Sequence, residues 1–126
     1  MGFQLSDEAV KLVLELADIT PGIQRKCGQT PLAIAARYGH DGVVEILLGW
    51  QNVNPNITDN GGRTPLSWAA ASGHNGVVRL LLRRQDVNPN IPDKDGRTPL
   101  WWASLSGYQG IVNLLQAPKS GNIMAV

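Results

Sequence analysis

The sequence predicts an all-α fold, a solenoid of about three and a half stacked helix-turn-helix units joined by extended loops. Three observations carry that expectation. Thr30-Pro31-Leu32 recurs as Thr64-Pro65-Leu66 and again as Thr98-Pro99-Leu100, 34 residues apart each time. Gly39-His40 recurs as Gly73-His74 and Gly107-Tyr108, and Val43-Val44 as Val77-Val78 and Ile111-Val112, in the same register. Asn52-Val53-Asn54-Pro55-Asn56 recurs as Asp86-Val87-Asn88-Pro89-Asn90 without a gap. A fixed period of this length marks units that bury their apolar faces only against one another.

The register also reaches backward. Ala9-Val10-Lys11-Leu12-Val13-Leu14 falls on the second-helix segment Val43-Val44-Glu45-Ile46-Leu47-Leu48. The chain therefore divides, within one domain over 1–126, into an N-terminal half-unit or cap at 1–27, units at 28–61 and 62–95, an incomplete unit at 96–118 and a tail at 119–126. In the half-unit, Ser6 ahead of Asp7 and Glu8 is a suitable helix cap, since acids favour the positive helix end. The outer side of that helix is left under-covered, either as a tolerated cap or as a surface for self-association.

Within each full unit the first helix should start at Thr-Pro. Threonine accepts from the free N–H groups of the first turn, and proline there loses no helical bond. Leu66, Trp68, Ala69 and Ala70 form an apolar stripe, and Gly73 ends the helix by accepting the left-handed conformation. A second helix follows from about Asn75 to Arg84, with Val77, Val78, Leu81 and Leu82 inward. Two prolines and two asparagines in Val87-Asn88-Pro89-Asn90-Ile91-Pro92-Asp93 exclude helix and mark a loop with turns. Ala35, Ala36, Ala69, Ala70 and Ala103 let neighbouring helices approach closely. At the last helix, Asn113, Gln116 and Lys119 supply polar cover and Pro118 is a stop.

Composition excludes several function classes. The 126 residues carry a formal net charge of +1, which argues against general polyanion binding, and one cysteine, Cys27, which excludes an intrachain disulfide. No apolar run approaches the ~20 residues that span a bilayer. The N-terminus has acids early and no basic stretch, unlike a secretory signal. No zinc-type spacing, phosphate-binding glycine loop or nucleophile–base–acid set occurs, so neither metal nor cofactor is expected. Asn56-Ile57-Thr58 is a formal glycosylation sequon.

The pattern Thr-Pro-Leu-x-x-Ala, Gly-His, Val-Val-x-Leu-Leu-Leu and Val-Asn, in three in-register copies, resembles the ankyrin repeat from about Ser6 to Leu115. It departs in its longer period, in the Pro-Asn of its loops, and in Ala33, Ser67 and Trp101 standing where the family has histidine. The Gly-Arg-Thr-Pro-Leu style with Asn-Pro-Asn loops is similar to arrays of filamentous fungi. The resemblance implies an intracellular, cytoplasmic, non-catalytic protein-binding module whose partner docks on the concave side, made of loop tips and first helices. Carried over position by position, that side holds Lys26, Gln29, Arg37, Tyr38, Asn60, Arg63, Ser72, Lys94, Arg97, Trp101 and Leu105. These slots are rich in arginine and poor in acids, which points to an acidic partner surface. Against this, Arg63 and Arg97 also fit as repeat consensus that only solubilises the scaffold.

The tryptophans divide by slot. Trp68 and Trp102 share the slot of Ile34 and are expected in the core, while Trp101 faces the groove or covers the last unit, and Trp50 is partly exposed. His40 and His74, at equivalent positions, are expected to hydrogen-bond in the turn between helices. Two other functions compete with the interaction module: homo-oligomerisation through the N-terminal half-unit, and a small-ligand site or unconventional enzyme with a groove pocket near Trp101. No nucleic-acid reading motif is present.

Overall fold

The computed structural model of the chain describes residues 28–50 and 53–117. The N-terminal half-unit, Lys26, Cys27 and the tail lie outside the described residues. Among the described residues there are six helices and no strand: α1 Pro31–Arg37, α2 Asp41–Leu48, α3 Pro65–Ser72, α4 Asn75–Arg83, α5 Pro99–Ser106 and α6 Gln109–Gln116. They form three pairs in two layers. The first helices α1, α3 and α5 pack side by side, the second helices α2, α4 and α6 do likewise, and each pair packs on itself.

The helix boundaries follow from the repeated residues. Thr30, Thr64 and Thr98 are extended caps whose hydroxyl oxygens accept from the backbone N–H groups of Ala33, Ser67 and Trp101 at 3.1–3.2 Å. Pro31, Pro65 and Pro99 follow in the first turn. Gly73 and Gly107 close α3 and α5 at φ +80° and +75°. In the first pair Tyr38 is the cap, and Gly39 supplies the left-handed turn one residue later, at φ +72°.

The second helices begin at His40, His74 and Tyr108, none of which caps with its side chain. The ring of His74 reaches back one unit instead. A Cβ on Gly39 would fall 2.7 Å from that ring, and one on Gly73 would fall 2.8 Å from the ring of Tyr108. Gly39 and Gly73 are thus the floors on which the next unit's ring rests. The expected histidine bond exists for His74, but it joins two units rather than closing a turn within one.

The core runs continuously through the stack. Ala36, Val44, Ala69, Ala70, Val77, Val78, Leu81, Ala103 and Ile111 have no exposed surface, which puts the small residues of one first helix directly against the next. Leu82 and Trp50 pack on this core from its edge and are half-buried.

The loops are tied across units by side chains. Asn56 donates through Nδ2 to the Asp86 carbonyl at 2.7 Å and accepts from the Asn88 N–H at 2.8 Å. Both ends of the sequon asparagine are therefore engaged. Arg84 donates to the carbonyls of Leu48 and Val53 at 3.1 and 2.8 Å, capping the end of the preceding unit's helix.

Candidate partner-binding groove

Two aspartates organise the loop that leads into each first helix. Asp59 Oδ1 accepts from the N–H groups of Gly61 and Arg63 at 2.9 and 3.0 Å, and its Oδ2 accepts from the indole N–H of Trp68 at 2.9 Å. Asp93 repeats the arrangement with Asp95, Arg97 and Trp102 at 2.9, 2.9 and 3.2 Å. Gly62 and Gly96 take the left-handed position of each turn, and the Lys94 N–H donates to the Gly61 carbonyl to join the two loops. One carboxylate thereby fixes both its turn and the indole of its own helix. Burial of Asp93 pushes its carboxyl up. The backbone N–H groups of Arg97 and Asp95, the Trp102 indole and the Arg63 charge together outweigh this and hold it below the ordinary carboxylate value.

Indoles fixed in this way present their faces along the stack, and arginines occupy the gaps. Arg37 lies over Trp68 at 4.5 Å, and Arg63 lies over both Trp68 and Trp102 at 5.2 and 4.9 Å. Arg97 lies over Trp102 and Trp101 at 5.5 and 4.6 Å, and Arg37 also reaches Tyr38 at 5.2 Å. The result is an alternating ladder, Tyr38, Arg37, Trp68, Arg63, Trp102, Arg97, Trp101, that crosses all three described units. Cation–π contacts of this kind contribute about 0.5–2 kcal/mol each, more where water is excluded. Trp68 and Trp102 are therefore not core residues as expected. They are half-buried, because each indole has one edge tied to an aspartate and its face given to arginine.

The ladder distinguishes the arginines. Arg63 Nε is buried, makes no hydrogen bond and stands 3.7 Å from Asp93 Oδ2. Part of the role of Arg63 is thus structural. Among the described residues no carboxylate pairs with Arg37 or Arg97; the ion pairs there are Arg63–Asp93 and Arg84–Asp86. A guanidinium carries five N–H donors in a fork that suits a carboxylate, and a contact with a ring does not consume them as an ion pair would.

The other expected site residues separate clearly. Tyr38, Asn60 and Lys94 are exposed, and Ser72 is half-buried at the end of α3. Gln29, expected at a loop tip, is buried at 7% exposure and cannot present its side chain to a partner. Trp101 and Leu105 are 40% and 65% exposed. Trp101 fills the slot of Ala33 and Ser67, which the following unit buries, so its indole lies on the far side of α5 and meets Trp102 edge-on at 5.1 Å.

Two solvent-open clefts of about 400 and 230 Å³ lie between α2 and α4, lined chiefly by Glu45, Arg79, Leu80 and Arg83. Neither touches Trp101, Tyr38, Arg63 or Arg97. Among the described residues no cluster of three His, Cys, Asp or Glu is placed to hold a metal ion, and no helix is long and apolar enough to cross a membrane.

The residues that sequence reasoning missed are Asp59 and Asp93. Their signal was present: they recur at the repeat period, four residues before the arginine and nine before the tryptophan they bind. Comparison with family models matches ankyrin repeats, in three copies, to residues 3–93 and 42–125. Comparison with curated proteins gives no match.

Proposed function

The chain belongs to the ankyrin-repeat family, and on that premise we propose that it is a non-catalytic module that binds an acidic protein partner along the side formed by its first helices and loop ends. Ankyrin repeats generally mediate protein–protein interaction. The observation that carries the finer reading is the ladder. Three guanidiniums from successive units lie over indole rings, and two of them, Arg37 and Arg97, lack a carboxylate partner among the described residues. Ordered arginines lose little freedom on binding, and their fork geometry suits carboxylates. The same reading places the protein in the cytoplasm.

Two further features support this reading over a small-ligand site. The clefts of the second-helix side are open to solvent and apart from the aromatic and arginine residues that a groove pocket would need. Asn60 and Lys94, each next in the chain to the aspartate that organises its loop, are exposed polar residues.

The test uses the full chain and labelled peptides of equal length, one rich in glutamate and one rich in lysine, by fluorescence anisotropy over a range of salt. The glutamate peptide binds more tightly, and the Arg37→Ala/Arg97→Ala double variant weakens it at least about tenfold and flattens the salt dependence. Equal affinity and equal salt slope in wild type and double variant would remove the reading. Mass in solution at several concentrations separates it from self-association.

A further inference from the structure

The side of the stack that carries the ladder changes character from one end to the other. At the period of 34 residues, Arg37, Ala71 and Leu105 occupy one repeat position, close to the end of each first helix. That position runs from a cation through a small residue to a large apolar one. Stacking does not close it, since Arg37 and Ala71 each keep exposed surface although a further unit follows. The 65% exposure of Leu105 therefore belongs to the position and not only to the last unit's place in the stack.

Leu105 has a companion. Residues four apart lie on one side of a helix, which puts Trp101, 40% exposed, beside it on α5. The earlier units carry Ala33 with Arg37 and Ser67 with Ala71 at the same two positions, so an exposed apolar pair occurs there in the last described unit alone. This pair adjoins the ladder. Arg97 stands 4.6 Å from the Trp101 ring and has no carboxylate partner among the described residues. A carboxylate received by Arg97 brings the chain that carries it to the edge of Trp101. A large apolar side chain next to that carboxylate then covers the pair, and tryptophan is a frequent anchor of such contacts.

Building on the acidic-partner reading above, we propose that the partner segment carries a large apolar residue beside its acids, and that this residue seats on Trp101 and Leu105. The neighbouring carboxylate pairs with Arg97, and a further acid lies toward Arg37. The last unit selects the apolar residue, whereas the first unit, with arginine in place of leucine, reads charge.

The experiment measures two labelled peptides on the full chain by fluorescence anisotropy, Glu-Gly-Glu-Gly-Glu-Phe and Glu-Gly-Glu-Gly-Glu-Ser. Wild type is expected to bind the phenylalanine peptide about tenfold more tightly. Leu105→Ala and Trp101→Ser, which install the residues of the middle unit, each reduce that preference, and Leu105→Ala leaves the serine peptide unchanged. Leu105→Arg, which installs the residue of the first unit, abolishes the preference and tightens the serine peptide. Equal binding of the two peptides to wild type, or a preference that survives Leu105→Ala and Trp101→Ser combined, overturns the apolar seat while leaving an acidic partner in place. Failure of both peptides to bind overturns the acidic-partner reading with it. A mass in solution that rises with concentration in wild type but not in Leu105→Ala gives the pair to a second copy of the chain and also overturns the proposal. Thermal unfolding of each variant checks that the scaffold is intact.

Discussion

The imidazole of His74 lies on Gly39 and donates from Nε2 to the carbonyl oxygen of Arg37 at 3.0 Å. A carbonyl can only accept, so the proton sits on Nε2. This one ring couples the end of α1 to the start of α4 and makes the absence of a side chain at position 39 a packing requirement as well as a backbone one.

Gly39→Ala should therefore cost more than Gly107→Ala. Both positions have positive φ, +72° and +75°, so both variants carry the same left-handed strain of about 1 kcal/mol. Only the first places a methyl against a ring; Gly107 has nothing within 4 Å of its would-be Cβ. Urea unfolding should show Gly39→Ala at least about 1 kcal/mol less stable than Gly107→Ala. Equal losses would deny the packing role.

Asp93 gives a pH signature. Its folded-state pKa lies below the ordinary value, so its contribution is present at neutral pH and is lost as pH falls through the folded value. The window opens below about pH 4. Asp93→Asn should be less stable than wild type at pH 7, because the amide cannot accept at both former oxygen positions. The gap should narrow as pH drops below about 4. Urea midpoints of the two proteins across that range check this.

Trp68 has two separable roles. Trp68→Phe keeps a ring between Arg37 and Arg63 but loses the indole N–H to Asp59, with an expected loss of about 1–1.5 kcal/mol. Trp68→Leu also removes both cation–π contacts and should cost about 1–2 kcal/mol beyond that. Chemical denaturation of both variants separates the two effects.

The helix caps should differ by position. Thr64 is 1% exposed and its hydroxyl also pairs with Ser67 Oγ at 3.1 Å, whereas Thr98 is half-buried. Thr98→Ala should lose about 1 kcal/mol and Thr64→Ala closer to 2 kcal/mol by the same measurement. The excess at Thr64 reports the buried Ser67 hydroxyl left with one partner fewer.

The scaffold was largely legible in the sequence because its rules are local. Thr-Pro at a helix start, glycine at a helix end and alanine between stacked helices each follow from the conformation of a few neighbouring residues. Trp68 and Trp102 were harder to place. Hydrophobic patterning sends a tryptophan at an apolar slot inward, yet an indole also has an N–H to satisfy and a face that attracts cations. Both needs are met by residues of the adjoining loop and the neighbouring unit, whose proximity no window along the chain reveals. Gln29 was misjudged for the converse reason, since its slot is polar while its surroundings are closed. Asp59 and Asp93 are polar residues in loops, which are usually solvated, and only their shared interval with arginine and tryptophan set them apart.

Because Arg63 rests on Trp68 of its own unit and on Trp102 of the next, no boundary between these units can open without parting a cation from a ring. Stretched between its ends, such a stack resists like a zip fastened along one edge. The tooth that slips first is the one at Trp101, where a single arginine holds the ring and nothing else in the described stack closes over Gly107.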